Sequence, residues 1–187
     1  MAPSLTLAQA AALLTKGGVI AYPTEAVWGL GCDPGDEVAV MRLLAAKRRE
    51  VGKGVILIAS SVAQLAPYAD FTALSPTQHA DVLATWPGPH TWVIPAAAAA
   101  PRWIIGDHNG IAVRVSAHPV VIALCNAFDG AIVSTSANTA HAAPARSVDE
   151  LAPDLLAAID GILAGSTTGQ DRPSQIRDAR SGRILRA

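Results

Sequence analysis

The sequence predicts a single α/β domain built on a mixed sheet. Short apolar runs of strand length intermix with amphipathic stretches of helix length, with no repeat and no long linker. The chain has 187 residues, enough for one sizeable core, so the domain is taken as 1–187. Hydrophobic residues make up 51% and charged residues 16%, against about 25% charged in an average soluble domain. That balance excludes a disordered chain.

Ser4 to Lys16 reads as a helix, with Leu5, Leu13 and Leu14 on its apolar side and Gly17-Gly18 as its stop. Val19 to Tyr22 reads as a buried strand running into the polar turn Pro23-Thr24-Glu25. Asp36 to Arg49 has helical spacing, acids at its start and bases at its end, which suits the helix dipole. Val55 to Ala59 is the next strand, and Ser75 to Trp86 the next helix, stopped by Pro87-Gly88-Pro89. Thr91 to Ile94 is a strand, and the alanine run 96–100, bounded by prolines, is a loop. Ile111 to Val115 is a strand around Arg114, and His118 to Phe128 a helix with Pro119 in its first turn. Ala131 to Ser134 is a buried strand leading into Ser134 to Asn138. Ser147 to Glu150 carries a capping-box signature for a short helix. Ile159 to Leu163, Ser174 to Arg177 and Arg183 to Arg186 are late strands, and Gly165 to Arg172 is the most flexible-looking stretch.

Several function classes are disfavoured. A net charge of −1 argues against bulk, sequence-blind nucleic-acid binding, although a local basic face is compatible with it. Two cysteines, Cys32 and Cys125, make neither a disulfide framework nor a zinc site, which fits a reduced, cytoplasmic setting. They read as packing residues, as do Trp28, Trp86, Trp92 and Trp103. The residues from Met1 to Lys16 do not read as a signal peptide, and no apolar run suits a membrane span. Walker and nucleophile-elbow patterns are absent. The five histidines, at 79, 90, 108, 118 and 141, are scattered, so no metal site is expected.

Polar residues at the ends of apolar strands remain, and that is where α/β sheets bind ligands. Arg42, Lys47, Arg48, Arg49 and Lys53 against Glu50 form either a solvated helix end or a polyphosphate cradle. Arg114, in a short apolar strand, either reaches the surface or pairs with a carboxylate, of the protein or of a ligand. Ser134 to Asn138 is either a turn or cap, or an anion site built from hydroxyls, an amide and backbone N–H groups.

Five stretches agree in order with one family: GGVIAYPTEAVWGLGCDP, AAKRREVGKGVILIA, WPGPHTWVIP, IAVRVSAHP and IVSTSAN. Together they resemble the YrdC/Sua5 family of threonylcarbamoyl-adenylate synthases, in its short bacterial form, over nearly the whole chain. The resemblance implies a twisted mixed parallel and antiparallel sheet flanked by helices, with a concave polar groove. It implies a reaction of L-threonine, bicarbonate and ATP to threonylcarbamoyl-AMP and pyrophosphate. A separate transferase complex then uses the product for the t6A modification of tRNA. By resemblance, Lys47, Arg49, Ser136 and Asn138 serve ATP binding and the adenylyl transfer, and Thr91 and Arg186 contact ATP. Thr24, Arg114, Ser134 and Ser174 form the threonine pocket. Mg²⁺ would be held mainly through the phosphates, with no protein metal site. Glu50 departs from the family, which usually has proline after Lys-x-Arg; it predicts a looser loop and slightly weaker electrostatics there. Two other readings compete. One is an RNA-binding factor using a basic rim of Arg172, Arg177, Arg180, Arg183 and Arg186, with direct tRNA contact. The other is a carbamoyl-adenylate-forming domain acting on a different amine.

Overall fold

A computed structural model describes residues 2–139, 142–170 and 174–186. Ten strands form its sheet: β1 (Ser4–Leu5), β2 (Ile20–Pro23), β3 (Trp28–Gly31), β4 (Ile56–Ala59), β5 (His90–Pro95), β6 (Gly110–Val115), β7 (Ile132–Ser136), β8 (Gly161–Leu163), β9 (Gln175–Asp178) and β10 (Ile184–Arg186). Their spatial order is β1-β8-β2-β3-β7-β4-β6-β5-β9-β10. Parallel pairs (β1 with β8, β8 with β2, β4 with β6, β5 with β9) mix with antiparallel ones, so the sheet is mixed. The helices are α1 (Leu7–Thr15), α2 (Glu37–Ala46), α3 (Val62–Leu65), α4 (Pro76–Leu83), α5 (Arg102–Ile105), α6 (Pro119–Phe128) and α7 (Pro153–Ala158).

The two-residue period of the strands divides the core between two faces. Leu57, Val113 and Val133 join Leu43 and Leu44 of α2 on one face. Their neighbours Ile58 and Ile132 join Leu14 of α1 and Val121 and Leu124 of α6 on the other. The α1–α6 side leaves part of its face uncovered. Ile56 lies in register with Ala112 on one neighbouring strand and with Ser134 on the other, and all three line an open cleft there. No helix among the described residues is long and apolar enough to cross a membrane.

Several elements differ from the sequence reading. Ser4 and Leu5 pair with β8 as a strand, and α1 starts only at Leu7. Thr6 is the reason: its hydroxyl accepts from the Gln9 N–H while Gln9 reaches back to the Thr6 N–H. The helix α2, capped by Asp36, stops at Ala46, because Arg48 turns into the left-handed region at φ 52°. Lys47, Arg48 and Arg49 are therefore a turn beyond the helix rather than its last turn. The fourth helix ends at Leu83, short of Trp86.

Strand β3 was not expected, since WGLG holds two glycines and no alternation. It is wholly buried, and a Cβ on Gly31 would meet the Tyr22 ring and the Val133 carbonyl at 2.7 Å. The short helices α3, α5 and α7 were likewise not expected. Ser147 makes no side-chain cap; Val148–Glu150 is a 3₁₀ turn, and the Glu150 carboxylate accepts from the Arg146 N–H at 2.7 Å. Residues 165–170 are held rather than loose. His118 Nε2 donates to the Ser166 carbonyl at 3.0 Å, and Thr168 Oγ1 and the Gln170 N–H donate to the Glu25 carbonyl at 3.3 and 3.2 Å. Asp171 and Arg172 lie outside the described residues.

The loop between α2 and β4 turns at Gly54, which has φ 59° and would place a Cβ 2.7 Å from the Ile105 carbonyl. Gly54→Ala should therefore lose at least about 1 kcal/mol of stability, read as a lower urea midpoint with an unchanged slope.

Candidate active site

The cleft encloses about 620 Å³. Its floor is the uncovered sheet face, its apolar wall includes Ile94, Ile104 and Ile111, and its polar rim comes from the β2–β3 turn, the loop before β4 and the β9–β10 hairpin. Of the residues singled out by sequence, Thr24, Arg49, Arg114, Ser134, Ser136, Ser174 and Arg186 line it. An adjoining hollow of about 260 Å³ is lined by Lys47, Arg49, Lys53, Ser136 and Asn138, among others. Residues from six separate parts of the chain thus meet in one place.

Arg114 does not reach the surface. It is buried, and its Nη1 donates to Glu25 Oε2 at 2.8 Å. Glu25, read from sequence only as part of the turn Pro23-Thr24-Glu25, is the partner. Its other oxygen accepts from Ser116 Oγ at 2.7 Å and the Ala117 N–H at 3.2 Å. Burial alone pushes the Glu25 carboxyl up, but the Arg114 guanidinium and these donors outweigh it and hold the group below the usual carboxylate range. Thr24 has a narrower role than its position suggested. Its hydroxyl donates to the Val27 carbonyl at 2.7 Å, so it offers a ligand lone pairs rather than a proton.

Lys47 is buried at the end of α2 and binds across to the end of β7. Its Nζ donates to the carbonyls of Ser136 and Asn138, the latter at 2.6 Å, and to Asn138 Oδ1 at 3.4 Å. The Ser136 hydroxyl donates to the same Oδ1. Burial, and then the nearby Arg49, push the lysine down to about 8. Arg49 folds back so that Nη2 donates to the Lys53 and Gly54 carbonyls at 3.3 and 3.0 Å. Glu50 lines neither hollow and sits 3.7 Å from Lys53, both side chains exposed. Its φ of −66° is the value proline would impose, so the backbone here takes the course a proline would give it.

Thr91 departs from its expected place. It is fully buried, lines neither hollow, and its hydroxyl is 2.9 Å from that of Ser174, which does face the cleft. It lies in register with Ile176 of β9, on the strand face that carries Val93, and is covered there. Arg186 Nη2 donates to the Ser174 carbonyl at 2.9 Å. Burial lowers the Arg186 pKa, and the charges of Arg114 and Arg49 lower it further. Three guanidinium groups thus share one field, with Lys53, Arg180 and Arg183 also on the rim. Such a cleft favours a polyanion.

A family model of Sua5/YciO/YrdC proteins, described as "Telomere recombination", matches residues 12–187. The chain belongs to the Sua5/YciO/YrdC family. A relative from Xanthomonas euvesicatoria pv. vesicatoria (strain 85-10), named threonylcarbamoyl-AMP synthase, is 61% identical over 186 residues, covering 100% of both chains. One from Xanthomonas axonopodis pv. citri (strain 306), of the same name, is 60% identical over 186 residues, also covering 100% of both. Among solved structures, P. abyssi Sua5 complexed with L-threonine matches at 31% identity and a TM-score of 0.84, over 95% of this chain and 54% of that one. E. coli YciO matches in fold, at 23% identity and a TM-score of 0.87, over 100% of this chain and 95% of its own. The mixed sheet with helices on its faces is therefore the family fold. Lys47, Arg49, Ser136 and Asn138 meet at the smaller hollow.

No group of three His, Cys, Asp or Glu side chains converges among the described residues; His141 lies outside them. The two acids of the cleft are already engaged, Glu25 as above and Asp178 by the N–H groups of Arg180 and Ser181. These residues do not fit a dedicated magnesium cage.

Lys47 supplies a direct test of anion binding. An anion in the adjoining hollow returns its pKa toward the ordinary value near 10.4. Inorganic triphosphate titrated at pH 8, in buffers of different ionisation enthalpy, should show uptake of about half a proton more by the wild type than by Lys47→Gln. The same depression means that stability rises with pH from about 8 toward 10, because the unfolded lysine keeps its proton longer.

Proposed function

We propose that the chain, over residues 1–187 as one domain, is a threonylcarbamoyl-AMP synthase. The observation that carries this reading is the convergence in one cleft of Arg49, Arg114 and Arg186, with only Arg114 matched to a carboxylate among the described residues. The full-length likeness to relatives of that name supports it.

The reaction needs two bonds made in order. Bicarbonate parts into CO₂ and hydroxide; the neutral amine of L-threonine attacks the CO₂ carbon and its proton passes to the hydroxide as water, leaving a carbamate. A carbamate oxygen then attacks the α-phosphorus of ATP, the bond to the β-phosphoryl oxygen breaks, and pyrophosphate leaves. No protein nucleophile is required; the chain contributes placement and charge. Arg114 holds the threonine carboxylate with the N–H groups not given to Glu25. Ser134 and Ser174 flank it, and the lone pairs of Thr24 accept from the substrate. Arg49 and Arg186 offset triphosphate charge, and Lys47 acts through its charge while holding Ser136 and Asn138 in place. Magnesium, when present, would come with the phosphates, and no step here runs through it.

In this reading the enzyme is cytoplasmic and passes its adenylate to a transferase complex that completes t6A on tRNA. Direct contact with tRNA is not needed for the chemistry. RNA binding as the main role is not favoured, since relatives that match the whole chain are named threonylcarbamoyl-AMP synthase.

Pyrophosphate release from ATP should require both L-threonine and bicarbonate, with the adenylate identified by mass spectrometry. Release independent of threonine would overturn the reading. Arg114→Lys keeps a charge opposite Glu25 but loses the planar fork. It should raise the KM for threonine by about 10- to 100-fold while that for ATP changes by less than about threefold.

A further inference from the structure

The Glu25 side chain takes no part in the chemistry above, yet three parts of the molecule converge on this residue. Its carboxylate holds Arg114 of β6, Ser116 and the Ala117 N–H just before α6. Its carbonyl holds Thr168 and Gln170 of the segment after β8, and Gln170 lines the cleft. The ion pair is buried on both sides, so it is not a surface contact screened by solvent.

Three arginines feel one another in the cleft, and a triphosphate attracts all three. Arg49 donates to backbone carbonyls, and Arg186 to the Ser174 carbonyl. Neither has a carboxylate partner among the described residues. Arg114 alone of the three does, through Nη1. A neutralised pair attracts a distant phosphate only as a dipole, but the guanidinium keeps its remaining donors for a carboxylate at contact distance.

We propose that Glu25 is a positioning residue that reserves Arg114 for the carboxylate of the amino-acid substrate, leaving Arg49 and Arg186 to the triphosphate. The inference rests on the synthase reading above. Glu25 touches no reacting atom; it acts by cancelling long-range attraction at one arginine and fixing the plane of its guanidinium. Through its carbonyl it also sets where Gln170 lies at the mouth of the pocket.

The test uses the full chain as wild type, Glu25→Gln, Glu25→Asp and Ser116→Ala, with calorimetric binding of L-threonine and of ATP measured separately and steady-state kinetics for both. Glu25→Gln should raise the threonine KM by about 30-fold or more, while ATP binding is unchanged or tighter. ATP should also become competitive with threonine, because Arg114 is now free to take phosphate. Glu25→Asp should restore most of the separation. Ser116→Ala keeps the ion pair and removes one support, and should raise the threonine KM about threefold with ATP unaffected. If Glu25→Gln does not fold, Ser116→Ala decides: an unchanged threonine KM overturns the proposal. Equal losses for threonine and ATP in Glu25→Gln also overturn it, since that is what general disruption gives. A wild-type chain that binds ATP but no amino acid overturns the synthase reading itself, and this assignment with it.

Discussion

The buried pair of Glu25 and Arg114 is the constraint around which the site is organised. The two residues lie 89 positions apart, on elements at different places in the sheet. Removing either leaves the other charged and dry, at a cost of several kcal/mol. The pair therefore locks the β2–β3 turn to β6. The Ser116 and Ala117 donors extend the lock to the start of α6, and the Glu25 carbonyl extends it to residues 165–170. A single acidic side chain joins the substrate pocket to the frame that carries it.

The cleft itself follows from unequal covering of the sheet. On one face α2 lies over Leu57, Val113 and Val133. On the other, α1 and α6 cover Ile58 and Ile132 but not the next positions along the same strands. Those positions are Ile56, Ala112 and Ser134, which keep the alternation and so point into open space. Small and hydroxylated side chains there make a shallow floor. Arg49, Lys53, Arg180 and Arg183 stand around it outside the strands, whereas Arg114 sits buried within β6.

The strands with short apolar runs were legible, β4 above all, because few polar residues interrupt them. Lys47, Arg49, Ser136 and Asn138 lie in two short motifs, and the fold brings the two motifs together at one hollow. What escaped depends on contacts across the chain. Strand β3 is held by its neighbours, and its glycines exist to let Tyr22 and Val133 approach. The end of α2 is set by one left-handed residue, Arg48, with no glycine to announce it. Thr91 sits in a motif that suggested a ligand, but it is fully buried beside β9, whose Ser174 hydroxyl, 83 residues away, it meets. Arg114 was open to either the surface or a carboxylate partner, and Glu25 became visible as that partner only once the sheet brought the two together.

The strand order has a consequence for how the chain reaches this state. Strand β2 lies between β3, its hairpin partner, and β8, with Ile20 opposite Gly161. Its other edge stays unpaired until about 140 further residues have left the ribosome. The same is true of β3, whose second neighbour is β7. Local helices such as α1 and α2 can form early, but the centre of the sheet closes only at the end of synthesis. The early hairpin carries Trp28 and Leu30, which are core residues in the finished molecule. During synthesis they are exposed beside open strand edges, so this part of the chain is where nascent protein is most prone to pair wrongly.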